Sequence, residues 1–370
     1  MTIKDLIYVG TYTEAILFGT GQVLQGKGKG IYSFKFDQAA NTLTLHGITE
    51  NVRNPSYLAF DAPRHYLYAV NEYKEFEGKP SGGVSAFRID QDTGALTYLN
   101  TKPSHGTDPC HLIVDKSGKY VLIANFASGS ICVLPIQKDG SLGDETDFIQ
   151  HQGSSVDPKR QTSPHAHAVE FDQAGRYVFV PDLGMDKVVI YKFDTEAGKL
   201  AVNPDMPWVK TAPGAGPRQL VMHPGGKFAY LINELNSTMT AFAYDASKGA
   251  LTELQTLSTL PPEGFDGVTS CAEVQITPSG KFLYGSNRGH NSIVIYAVDQ
   301  ATGKLTLVGH ESTQGRIPRN FEVSPTGEHL IAANQDTDNL VMFKIDATTG
   351  KLTPTGANAE AGTPICVRFT

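Results

Sequence analysis

Residues 54–73, NPSYLAFDAPRHYLYAVNEY, followed by residues 82–100, GGVSAFRIDQDTGALTYLN, decide the fold, because the same order returns five more times along the chain. The later copies begin at DPCHLIVDKSGKY, SPHAHAVEFDQAGRY, GPRQLVMHPGGKF, SCAEVQITPSGKF and IPRNFEVSPTGEH. Each copy holds four short, β-branched or aromatic segments, A to D. Gly-containing turns such as DKSGK join A to B, and turns such as QDTGA join C to D. The anchor residues Pro55, Pro109, Pro164, Pro217, Cys271, Pro318 and Pro364 recur every 46 to 55 positions. That is the length of a four-stranded propeller blade.

The two ends complete the pattern. GTPICVRFT at the C-terminus matches only segment A, whereas LIYVGTY, GIYSFKFD and LTLHGI near the N-terminus match B, C and D. Six whole units and one unit shared between the ends predict an all-β, seven-bladed β-propeller. It has four antiparallel strands per blade, a composite blade closing the ring, and one domain over residues 1–370. A helical solenoid would need a 3.6-residue apolar period over ten or more residues, and these segments are too short for one.

Composition narrows the function classes. A formal charge of −7 opposes general nucleic-acid binding, which needs an extended basic surface. No apolar run reaches a membrane span, and the first residues enter a strand pattern without a signal-peptide core, so a cytoplasmic location is expected. Cys110, Cys132, Cys271 and Cys366 are widely spaced and read as reduced, buried thiols. Oligomeric state is not legible.

In a propeller the start of A and the end of B share one face. The long insertions at 14–29, 74–82, 151–162 and 258–269 fall there too. Counted forward from the anchors, that face offers Ser56, Cys110, His165, Arg218, Ala272, Arg319 and Ile365. The ends of B offer Glu72, Phe126, Asp182, Glu234, Arg288, Gln335 and Thr11. Four consecutive blades thus carry an ionisable arc: His165 with Asp182, Arg218 with Glu234, Arg288, and Arg319. The arc reads either as an ion-pair network between blades or as the seat of a small anion, and its surplus of arginine favours the anion. In this register His167 falls on a packing position, and no third residue completes a zinc-type set with the HxH pair, so no metal is expected. Residues 19–30, GTGQVLQGKGKG, lack the ending of a P-loop and read as a mobile loop.

The strings GAGPRQLVMHP, AYLINELNST, LYGSNRGHNS, SPHAHAVEFD and IPRNFEVSPTG resemble, over essentially the whole chain, the lactonase-type seven-bladed propellers. That family includes bacterial propeller-type 6-phosphogluconolactonases and fungal carboxymuconate cyclases. The resemblance implies a metal- and cofactor-independent enzyme with His165, Arg218, Glu234 and Arg288 in the active site and Arg319 beside them. It also implies a small anionic lactone substrate, 6-phospho-D-glucono-1,5-lactone of the pentose phosphate pathway, hydrolysed as a carboxylic ester. On this reading Glu234 is the general base with His165 as proton donor or alternative base, Arg218 and Arg288 stabilise the oxyanion or bind the substrate, and Arg319 helps hold the phosphate. Asp182 and Gln335 are further substrate contacts, and Lys159 and Arg160 are candidates for the phosphate. A muconate-type cyclase and a non-catalytic interaction platform are the competing functions.

Overall fold

A computed structural model describes residues 3–370 and contains seven four-stranded antiparallel sheets arranged as blades. The only helical element among the described residues is a 3₁₀ turn at Ile3–Asp5. In blade 1, Pro55–Phe60 (strand A), Tyr66–Asn71 (B), Gly83–Ile89 (C) and Leu96–Pro103 (D) pair in that order outward from the axis. The composite blade is formed as expected. Pro364–Phe369 pairs with Leu6–Thr11, which continues to Gly30–Asp37 and Thr42–Glu50. Blade 3 carries an additional short outer strand, Trp208–Lys210.

Each inner strand is covered on both faces by neighbouring blades, so Leu6–Thr11, Tyr120–Asn125 and Phe228–Asn233 are buried at every position. The apolar core therefore lies between blades. Tyr284 and Ile295 of blade 5, for example, share a cluster with Phe321, Leu330 and Phe343 of blade 6. Ile7, Val9 and Phe369 of the composite blade join Ile331 and Met342 of blade 6, closing the ring with the same contacts that built it. A polar contact repeats alongside. Tyrosines of strand B donate to the C–D turn of the next blade: Tyr8 to the Gly94 carbonyl at 2.5 Å, Tyr68 to Gly140 at 3.0 Å and Tyr284 to Gly350 at 2.9 Å. Gly94 has φ of +73°, which favours glycine in the turn, and a Cβ there would lie 2.2 Å from the Leu6 Cδ1, so the Leu6 side chain would have to shift at the seam.

One irregularity decides where function can sit. In blades 1, 2, 4 and 6 the A–B register slips between the anchor proline and the residue two positions on, so Ser56, Cys110, Arg218 and Arg319 are bulge residues. A bulged residue leaves the ladder and re-aims its side chain, here into the central channel. Blade 3 departs from this pattern. Asp172 stands eight positions after Pro164, whereas Asp61 and Asp115 stand six after Pro55 and Pro109. Only Glu170–Phe171 forms a regular A strand, paired with Phe179 and Val178. Counting back from this pairing places His167, not His165, level with Arg218 and Arg319, which corrects the forward count.

Candidate active site

Glu234 directly follows strand B of blade 4, Phe228–Asn233, where its amide donates to the Gly216 carbonyl at 2.7 Å and its side chain is buried. Three guanidinium groups converge on the carboxylate. Arg218 donates from Nε to Oε2 at 3.0 Å, Arg288 lies 2.9 Å from the same oxygen through Nη2, and Arg160 donates from Nη2 to Oε1 at 2.7 Å. Backbone carbonyls hold the arginines from behind. Arg218 Nη1 donates to Ala272 at 2.5 Å and Arg288 Nη2 to Cys271 at 2.7 Å. Burial pushes the Glu234 carboxyl up, but Arg288, Arg160 and Arg218 together hold it well below the usual carboxylate range. Arg288 is pushed down to about 10 by burial and, against the pull of Glu234, by the neighbouring Arg218 and Arg319, so it remains charged near neutrality. Its Nε is buried without a partner among the described residues.

Arg160 reaches this cluster from the 151–162 insertion because the loop is pinned. Asp157 Oδ1 accepts the amides of Lys159 and Arg160 at 2.8 and 3.0 Å, and the buried Gln161 donates to the Leu183 carbonyl at 2.8 Å. Lys159, exposed, does not line the cavity.

The two histidines of blade 3 have different settings. His165 lies on the Phe126 ring at 4.7 Å between centroids, and its Nδ1 is 2.9 Å from the Phe126 carbonyl. A carbonyl only accepts, so Nδ1 carries the proton in the neutral ring and Nε2 keeps a lone pair with no protein partner among the described residues. His167 is buried with Nε2 at 4.0 Å from Glu234 Oε2 and Nδ1 at 3.7 Å from Cys110 Sγ. Burial, then the charge of Arg218, drives its pKa well below the usual value and keeps the ring neutral.

Asp182 does not belong to the mouth. It aligns with Asn71, Asn125, Asn233 and Asn287, one position before Glu72 and Glu234, and it is fully buried. Its carboxylate accepts from His151 Nδ1 at 2.6 Å and from the His165 amide at 2.7 Å. It supports the irregular segment that carries His165 and does not line the cavity. Gln335 does line it. Its Nε2 donates to Asp336 at 2.9 Å, and its Oε1 has no partner among the described residues.

His165, His167, Glu234, Arg160, Arg288 and Arg319 open on one cavity of about 750 Å³. Beneath it lies a chamber of about 20 Å³, walled by Ser56, Arg218, Gln219 and Glu273 and sharing Glu72, Cys110, His167 and Arg319 with the main cavity. Residues 19–30, read from the sequence as a mobile loop, include the second strand of a hairpin, Ala15–Leu17 with Val23–Gln25, which supplies part of the upper wall. Farther down the channel Glu170, Glu273 and Glu322 surround Arg368, whose Nη1 is 3.5 Å from Glu322. No group of three or more His, Cys, Asp or Glu side chains suited to a metal is present among the described residues.

The family model described as lactonase, seven-bladed β-propeller, matches residues 6–369. The chain belongs to this lactonase family. Within the lactonase family it is 37% identical over 322 residues to the 6-phosphogluconolactonase of Bacillus subtilis, a match covering 86% of this chain and 84% of that one. It is 33% identical over 319 residues to the 6-phosphogluconolactonase of Formosa agariphila, with 86% of each covered. Among solved structures, the periplasmic gluconolactonase of Pseudomonas aeruginosa superposes with a TM-score of 0.90 at 35% identity, covering 99% of this chain and 98% of that one.

Proposed function

We propose that this lactonase-family chain hydrolyses 6-phospho-D-glucono-1,5-lactone to 6-phosphogluconate, with His165 as the general base. The carrying observation is the pairing, in one cavity, of an imidazole whose tautomer leaves Nε2 bare with guanidinium groups already fixed on Glu234. Hydrolysis needs an activated water, a polarised carbonyl and a proton for the leaving alkoxide. His165 Nε2 takes a proton from water as its oxygen bonds to the lactone carbonyl carbon. Arg288 and Arg160 face the oxyanion. The ring C–O bond then breaks, and the imidazolium returns its proton to the departing oxygen.

Glu234 has a different part in this scheme. A carboxylate held well below its usual range by three arginines is a poor base, but it is a strong orienting group for those arginines. Arg319 lines both cavities and makes no hydrogen bond or ion pair to protein among the described residues, so its donors are available to a phosphate. The four free thiols, all buried, suit a reducing compartment, and a cytoplasmic location is part of the proposal.

The test is lactone loss above the spontaneous rate for 6-phosphogluconolactone and for unphosphorylated gluconolactone, beside a carboxymuconate substrate. Preference for the phosphorylated lactone is the expected result. Turnover of the muconate alone, or no rate above background, would overturn the proposal.

A further inference from the structure

Arg319 is a half-buried guanidinium in the channel with a carboxylate nearby that it does not join. Glu72 lines both cavities with it and, against burial and together with Tyr12, raises its affinity for a proton, yet no ion pair forms between the two. Two aromatic rings explain the separation. The Arg319 Cζ lies 5.6 Å from the centre of the Tyr12 ring and 5.1 Å from that of Phe18. Tyr12 in turn donates its hydroxyl to both oxygens of Glu72 at 3.0 Å. The carboxylate is thus occupied by a hydroxyl, and the cation is held by ring faces, which attract charge without consuming N–H donors. Tyr12 is fully buried in the composite blade, and its position is fixed by the fold.

Phe18 is placed differently. It stands at the end of the hairpin in the 14–29 insertion, where its amide donates to the Gln22 carbonyl and its own carbonyl accepts from Gly21, both at 2.9 Å. Its ring packs edge-on against Tyr12 at 6.0 Å between centroids. The next residue, Gly19, approaches the opposite side of the mouth, since a Cβ there would lie 3.7 Å from Arg160 Nε and from Phe126. The hairpin therefore spans from Arg319 to the residues beside Glu234 and His165. We infer that Phe18 is a specificity-determining residue that holds Arg319 away from Glu72 with its N–H donors free for the substrate's phosphate. This rests on the reading of Arg319 as the phosphate contact.

The experiment compares the discrimination ratio, kcat/KM for 6-phosphogluconolactone over that for gluconolactone, in wild type, Phe18→Leu and Phe18→Trp. Leucine keeps the apolar packing and removes the ring face. The ratio should fall by about three- to tenfold in Phe18→Leu, the range of a partly desolvated cation–π contact, mainly through KM for the phosphorylated lactone. Phe18→Trp should restore most of it. A purely structural role would lower both kcat/KM values together and leave the ratio in place, and that result, or a ratio in Phe18→Leu as high as in Phe18→Trp, would overturn the inference. A wild-type ratio near unity would instead overturn the reading of Arg319 on which it rests.

Discussion

Replacing Glu234 by Gln removes one negative charge from beneath three guanidinium groups, and its consequence can be worked out from the geometry. Arg218, Arg288 and Arg160 all lie within 3.0 Å of the carboxylate, and the Arg218 side chain is only 5% exposed. Breaking a buried pair by deleting one partner costs about 3–5 kcal/mol. With an unfolding entropy of roughly 2 cal/mol/K per residue, a chain of this size should lose about 4–6 °C of melting temperature. The variant should recover more of that loss in sulfate than the wild type gains, because an anion can take the place of the carboxylate between the guanidinium groups. Turnover should fall by roughly 10²–10³, since the arginines lose their orientation toward the oxyanion. The pH dependence has a definite sign. The folded-state pKa of Glu234 is depressed, so its stabilisation is complete above the unfolded value near about 4.3 and drains away as pH falls toward the folded one. The gap between variant and wild type should therefore narrow below about pH 4. Thermal melts across pH and sulfate concentration read all of this. A Glu234→Gln protein melting within about 1 °C of wild type at pH 7, with no added response to sulfate, would refute the view that this carboxylate organises the site.

Three further outcomes are expected. His165→Gln keeps a polar side chain but removes the bare ring nitrogen, so kcat should drop by roughly 10²–10⁴ with an unchanged melt, and near-normal turnover would return the base to another group. Glu170, pushed up to about 8 chiefly by burial, stabilises the fold fully below its unfolded pKa and loses that contribution as pH rises through about 8. Glu170→Gln should therefore melt higher than wild type at pH 8.5 to 9 and converge with it near pH 5; a constant offset would show that the carboxyl is not titrating there. Removing residues 363–370 deletes the innermost strand of the composite blade, and it should lower the whole cooperative transition rather than add a minor early one.

The ring was readable because a four-strand unit repeats with its turns in place, and because the unmatched segments at the two ends complement each other. Blade 3 resisted the same reading. Its A segment is two residues longer between Pro164 and Asp172, so a count forward from the proline set His165 where His167 stands; a count backward from the turn would have found the true frame. Asp182 was misplaced by a similar slip, since it takes the place of the asparagines that precede the mouth residues in other blades. The contact of Arg160 with Glu234 spans 74 positions and comes from an insertion outside the repeat, so no register could reveal it. The same holds for the hairpin bearing Phe18, where Gly19, Gly21 and the glycines and lysines that follow look like loop composition until Ala15–Leu17 and Val23–Gln25 are seen to pair.

The A-strand bulges carry a consequence for how such a protein can change. A residue outside the ladder has no cross-strand partner to satisfy, so replacing it leaves the pairing of its blade untouched. Ser56, and Ile365, which a register shift between Gly10 and Thr11 leaves out of the ladder of the composite blade, wall the same inner chamber as Arg218 and Arg319 but are uncharged. Each is a place where a single codon change could install a new acid, base or cation facing a bound ligand while the sheet that carries it stays as it was. A ring of this kind can drift from one anionic substrate to another by exchanging side chains at a few equivalent points, which gives a physical reason for one scaffold to serve more than one chemistry.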